Sequence, residues 1–145
     1  MRRAVVVGVG SPFAGDDLGW RAAAALREGG FAVPGHETEY VCSDRPGVGL
    51  LALMEGRELA ILLDAMCSGA PPGSVRRLRR AELARLPVQH SSHGLGVAEA
   101  LALGERLDLL PPRLLLLGIE TGGPAPGFHP QALEACLRRA LAAPG

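Results

Sequence analysis

The chain predicts an α/β fold: a three-layer sandwich, with a twisted, mainly parallel sheet of about five strands and helices on both faces. Three observations carry that expectation. Short β-branched or leucine-rich runs alternate with longer stretches of helical spacing along the whole chain. The strongest runs are continuously apolar, as strands buried on both faces are, rather than alternating. The Pro- and Gly-rich stretches are brief and fall after the runs, where the loops of an open α/β sheet belong. The length of 145 residues is that of one domain, and no internal repeat or linker divides it, so residues 1–145 are expected to form a single domain.

Each element follows from its residues. Arg3 to Val9 is the first buried strand. Asp17 to Glu28 reads as a helix with Trp20, Ala23, Ala24 and Leu26 available for its buried side, ended by Gly29-Gly30. Glu39 to Ser43 is a second strand, and Val48 to Met54 a short helix after the turn Arg45-Pro46-Gly47. Leu59 to Leu63 is a third strand, strongly apolar and ended by Asp64. Ser74 to Leu78 suits an edge strand, because its arginines do not alternate cleanly with apolar residues. Ala81 to Leu86 is a short helix. Ser91-Ser92-His93 precedes a helix from about Gly94 to Leu103, with Ser92 placed to cap it. Leu114 to Ile119 is a last buried strand, and Pro130 opens a final helix reaching Ala142.

Composition narrows the function. The hydrophobic content of 48% suffices for a core packed by Val, Leu and Ala, since only 3% of residues are aromatic. Fifteen basic and fifteen acidic residues cancel, which gives no electrostatic footprint for nucleic acid. No segment approaches the ~20 apolar residues that span a bilayer, and the run Ala4 to Val9 is too short for a secretory leader. Cys42, Cys67 and Cys136 form no Cys-x-x-Cys pair and are odd in number, which fits a reducing cytoplasm rather than a disulfide framework.

Chemistry concentrates where the strands end. The loop Gly8 to Trp20 follows the first strand and opens the first helix, yet it ends in two carboxylates, Asp16 and Asp17. A phosphate-binding turn offers N–H groups and avoids negative charge, and position 13 is Phe where a dinucleotide fingerprint has its third glycine. Asp64 directly follows Ala60-Ile61-Leu62-Leu63, an abrupt place for an ion. His93 opens a helix. Ligands of open α/β sheets bind beyond the carboxyl ends of the strands. Two carboxylates and an imidazole there can hold a divalent cation such as Zn, Ni or Fe with positions left open, or serve as a general base with its orienting partner.

Each residue also has an ordinary structural role open to it: a helix cap for Asp16 or Asp17, a strand-end turn for Asp64, cap sequence for Ser-His-Gly. Their convergence on one sheet edge outweighs those roles. A Cys67–His93 nucleophile–base pair is a weaker alternative, because Cys67 lies in a loose-looking loop; Cys42 and Cys136 read as small core residues. His90 is placed for substrate or support, His129 for a cap, His36 for a loop, Trp20 for packing on the sheet and Phe13 for covering the site.

These segments together resemble the hydrogenase maturation proteases, endopeptidases that finish the large subunits of NiFe-hydrogenases. The resemblance runs over nearly the whole chain. Gly8 to Gly19 echoes the family's G-x-G-N-x4-D-D/E-x-x-G, Leu62-Leu63-Asp64-Ala65 its strand ending in D-A, and Ser91 to Gly96 its S-x-H-x-x-G. Asp44-Arg45-Pro46-Gly47-Val48-Gly49 looks like D-G-x-T-x-G without its threonine and first glycine, and Leu117-Gly118-Ile119-Glu120 resembles the late V-G-x-x-P strand end. Each motif is weak singly; their order and spacing are specific.

The resemblance implies a cytoplasmic, aspartyl protease-like endopeptidase acting on the precursor of a NiFe-hydrogenase large subunit. Its partner is that precursor, with neither nucleic acid nor membrane. The nickel is borne by the substrate, and Zn or Cd can occupy the same place. Asp16, Asp64 and His93 would be the metal-binding and catalytic residues, with Asp17 the alternative to Asp16. The loop is one residue shorter than the common pattern, and Ser11 replaces its Asn: counting from Gly10 selects Asp17, counting back from Gly19 selects Asp16. A branch of the family reads G-S-P-F-x-x-D-x-L-G-W, which favours Asp16. Whether the metal activates the attacking water or serves recognition alone stays open. The competing readings are a non-catalytic metal-sensing or metal-delivery module on the same residues and, more distantly, a nucleotide-binding α/β protein.

Overall fold

A computed structural model describes residues 1–11, 17–44, 48–83, 92–122 and 127–143, with the backbone alone for residues 48, 83 and 92–95. The elements run β1 (Arg2–Val9), α1 (Leu18–Glu28), β2 (His36–Ser43), α2 (Val48–Met54), β3 (Leu59–Met66), β4 (Val75–Leu78), α3 (Arg80–Leu83), α4 (Ser92–Arg106), β5 (Arg113–Glu120) and α5 (Pro130–Ala142). The five strands form one sheet in the order β2-β1-β3-β5-β4. All pairs are parallel except β4 with β5, which places the arginine-bearing strand at an antiparallel edge.

The sheet separates two apolar layers, as strand geometry requires when successive side chains point to opposite faces. Ala4 and Val6, Ile61 and Leu63, and Leu115, Leu117 and Ile119 face one side, where α1 and α5 supply Leu18, Ala22, Leu26, Leu133 and Leu137. Val5, Val7 and Val9, Leu62 and Met66, and Leu116 face the other, against Leu50 and Met54 of α2 and Val97, Ala100 and Leu101 of α4. The central strands are therefore buried on both faces, which is why they read as unbroken apolar runs.

Several boundaries differ from the sequence expectation. β2 begins at His36, because an edge strand with one wet face carries polar residues such as Glu37 that conceal it. α4 starts at Ser92, the residue expected to cap it and two before the expected start at Gly94, and continues to Arg106, three beyond the expected end at Leu103. α3 is described only over Arg80–Leu83, and residues 84–86 of the expected helix lie outside the described residues. On α1 the buried residues are Leu18, Gly19, Ala22, Ala23 and Leu26, while Trp20 and Ala24 are half-buried. Cys136 is buried as expected, and burial pushes its thiol up in pKa. Cys42 is exposed, since it lies on the outer strand of the sheet. No helix among the described residues is long and apolar enough to cross a membrane.

Candidate active site

The site region is built on the carboxyl edge of the sheet, around β1 and its neighbour β3. The strand order reverses there: β1 leads outward to β2, β3 to the opposite side, which opens a crevice between them. Two glycines bring α1 flush against this edge. A Cβ on Gly8 would collide with the carbonyl of Gly19, and a Cβ on Gly19 with the carbonyls of Val9 and Leu63. Only hydrogen at both positions lets the first turn of α1 rest directly on the backbone of β1 and β3.

One acceptor ties both ends of the intervening loop. The Gly10 N–H donates to the Ser43 carbonyl at 3.0 Å, and the Trp20 indole N–H donates to the same oxygen at 3.2 Å. Residues 12–16 lie outside the described residues, Asp16 and Phe13 with them. Asp17 occupies the cap position of α1 with no side-chain cap hydrogen bond; its carboxylate instead lies 3.9 Å from the Arg21 guanidinium, one turn along the helix.

Asp64 is half-buried in the last part of β3, paired in register with Gly118 of β5. The alternation Leu62, Asp64, Met66 puts it on the α2/α4 side of the sheet. A side chain at Gly118 would strike the Met66 sulfur and Leu78, so the glycine keeps the strand beside Asp64 free of bulk. α4 returns to the amino end of β5 through the short connection 107–112, so its own amino terminus stands at the carboxyl edge. His93, the second residue of α4, is therefore placed on the backbone at the same edge and on the same side of the sheet as Asp64.

Sequence reading passed over Glu120. It ends β5 in register with Met66 and is only 1% exposed. Its carboxylate accepts the Ser68 N–H at 2.8 and 3.1 Å and the Ser68 hydroxyl at 2.5 Å. The signal that singled out Asp64, a carboxylate closing an apolar run, was present in Leu114 to Ile119 as well. The loop beyond Cys67, loose by composition, is tied by these bonds. Among the described residues, no three His, Cys, Asp or Glu converge as a metal site.

His129 stands at the cap position of α5 but makes no side-chain cap bond, and the His36 ring is bonded to the Pro34 carbonyl at 2.8 Å. His90 lies outside the described residues. A cavity of about 950 Å³ opens elsewhere, beside α3 and the amino end of β5, lined by Arg77, Arg80, Glu82, Glu105 and Asp108 among others. Its charges are of both signs, and the Arg80–Glu105 pair at 2.9 Å closes on itself there.

Residues 46–126, more than half of the chain, match the family model HycI, hydrogenase maturation protease. The chain belongs to the hydrogenase maturation protease family. The matched segment contains Asp64 and His93 and begins beyond the Gly8 to Trp20 loop. A curated relative, the hydrogenase expression/formation protein HupD of Thiocapsa roseopersicina, is 29% identical over 119 residues, 80% of this chain. The chain spans about half the length of that relative, 53%.

Among solved structures, the hydrogenase maturating endopeptidase HybD of Escherichia coli superposes with a TM-score of 0.70 at 28% identity. That match covers 97% of this chain and 90% of the other. The NiFe-hydrogenase maturation protease HybD of Thermococcus kodakarensis shares the fold at a TM-score of 0.57 and 22% identity, over 96% of this chain and 94% of its own.

Proposed function

We propose that this chain is the endopeptidase that removes the carboxyl-terminal extension of a nickel-loaded NiFe-hydrogenase large-subunit precursor, reading the bound nickel through Asp16, Asp64 and His93. The observation that carries this is the placement of Asp64 and the start of α4, with His93, on one side of the sheet at the edge where the Gly8 to Trp20 loop also ends. Family membership supplies the reaction class; this edge supplies the donors. The partner is the precursor itself, met in the cytoplasm.

Hydrolysis of the peptide needs a water deprotonated as it attacks and a partner for the carbonyl oxygen as it becomes an oxyanion. A half-buried carboxylate in the last part of β3, Asp64, suits the first task. The substrate's own nickel, held among two carboxylates and an imidazole, suits the second as a Lewis acid. Asp16 is preferred to Asp17 as the loop ligand because the Asp17 carboxylate is directed along α1 toward Arg21.

The test replaces the carboxylates singly. Asp64→Asn is expected to lower precursor processing by about 10²–10⁴-fold, the range for loss of a general base. It should cost no more than about 1 kcal/mol of stability, because Asp64 is a half-buried carboxylate outside the apolar core. Asp16→Asn is expected to fail like Asp64→Asn, and Asp17→Asn to process normally. Wild-type rates from Asp64→Asn would show that the site lies elsewhere.

A further inference from the structure

We propose that Glu120 is a positioning residue that holds the turn between β3 and β4 as a rigid ledge, on which an extended segment of the precursor docks beside Asp64. The inference rests on the endopeptidase reading above. Its starting point is a burial that calls for a reason: a carboxylate 1% exposed is costly unless donors satisfy it. Among the described residues no arginine pairs with Glu120. Its side-chain bonds among the described residues go to Ser68, through the N–H and the hydroxyl.

The backbone of the same residue grips the other end of the turn. The Gly73 N–H donates to the Glu120 carbonyl at 2.8 Å, and the Glu120 N–H donates to the Ser74 carbonyl at 2.8 Å. The Ser74 hydroxyl in turn donates to the Pro71 carbonyl at 2.6 Å. Gly69 and Gly73 take positive φ of 91° and 85°, which glycine adopts without strain. A Cβ on Gly73 would press on the Gly127 carbonyl at 2.9 Å, so the turn is also packed against the chain entering α5. One buried residue thus fixes a six-residue turn at both ends.

What the turn offers is backbone. Ser68-Gly69-Ala70-Pro71-Pro72-Gly73 carries no large side chain, and Ser68, Gly69, Pro71 and Pro72 are exposed. It begins two residues past the end of β3 at Met66 and four past Asp64. A preformed, low-relief turn at that place accepts an extended polypeptide with little ordering cost. Parallel pairing with β5 through Met66 holds Asp64 independently, so loosening the turn should weaken docking rather than chemistry.

The experiment measures KM and kcat for cleavage of a nickel-loaded precursor by the wild-type chain, Ser68→Ala and Glu120→Gln, with hydrogen exchange of the Ser68 and Gly73 amides in the free proteins. Ser68→Ala removes one hydroxyl and tests the clamp even if Glu120→Gln folds poorly. The expected result is a rise in KM of about tenfold, the effect of one charge-assisted hydrogen bond, with kcat within about twofold and faster exchange at both amides. Unchanged KM, or a fall in kcat at constant KM, would overturn the inference. Absence of cleavage by the wild-type chain would instead overturn the endopeptidase reading, a result distinct from both.

Discussion

Replacing Gly19 by alanine tests how the glycine loop is seated. Two effects oppose one another. Alanine in a helix is favoured over glycine by up to about 1 kcal/mol. Against that, the new methyl would overlap the carbonyls of Val9 and Leu63 and lie 3.0 Å from the Val9 nitrogen. These are backbone atoms of two central strands and cannot swing aside as a side-chain tip can. Overpacking of this kind costs up to about 3 kcal/mol, so the net loss is about 2 kcal/mol. At this chain length that lowers Tm by about 4–8 °C. Gly49→Ala in α2 is the control: nothing lies within 4 Å of its Cβ position, so only the propensity gain remains and Tm should hold or rise. Differential scanning calorimetry of the two variants reads the outcome. A Gly19→Ala protein as stable as Gly49→Ala would refute the flush contact between α1 and the strands.

Two further outcomes follow from the surface and the helix ends. The Arg57 guanidinium, with Arg3, holds the Glu39 carboxyl at about 2 instead of its ordinary 4.5; the Arg57 contacts are 2.8 and 3.0 Å. A depressed carboxylate stabilises the fold above its ordinary pKa, and that contribution fades as pH falls from 4.5 toward 2. The stability gap between wild type and Glu39→Gln, from urea midpoints, should therefore be widest near neutral pH and close in acid; a gap independent of pH would contradict the ion pair. Arg113 donates to the Ala140, Leu141 and Ala143 carbonyls at 3.2, 2.7 and 3.2 Å, satisfying acceptors left over at the end of α5. Arg113→Met keeps the aliphatic stem and should cost about 1–2 kcal/mol by chemical denaturation; no loss would show those carbonyls to be satisfied by water.

The doubly buried strands were legible in the sequence because both of their faces are apolar, so β1 and β5 fall within one residue of expectation at each end. β3 runs three residues past Leu63 to Met66, because its pairing with β5 continues through Asp64, Ala65 and Met66, so Asp64 lies inside the strand rather than ending it. β2 was legible only in part, since His36, Glu37 and Thr38 precede its apolar residues and one face of an outer strand is wet. The same outer position exposes Cys42, which composition alone assigned to the core. Asp64 stood out as a lone charge after four apolar residues. Glu120 gave the same signal, but the strand-end motif around it carried no chemical role, and its partner Ser68 lies 52 residues away. The order of the Ser68 to Gly73 turn depends on that distant carboxylate, so no local reading of Gly and Pro content reveals it. Gly8 and Gly19 were legible as loop glycines, whereas their joint role against the carbonyls of β1 and β3 needs the packed helix.

The central claim is that this chain cleaves a precursor only when the precursor carries nickel. Its most direct measurement is intact-mass spectrometry of a NiFe-hydrogenase large-subunit precursor, nickel-loaded and nickel-free, after incubation with the purified chain. The expected result is loss of a carboxyl-terminal segment from the loaded form and no change in the nickel-free form. An unshortened loaded precursor that still binds the chain would contradict the protease reading and favour a metal-sensing module on the same residues. Equal cleavage of both forms would contradict recognition of nickel through Asp16, Asp64 and His93.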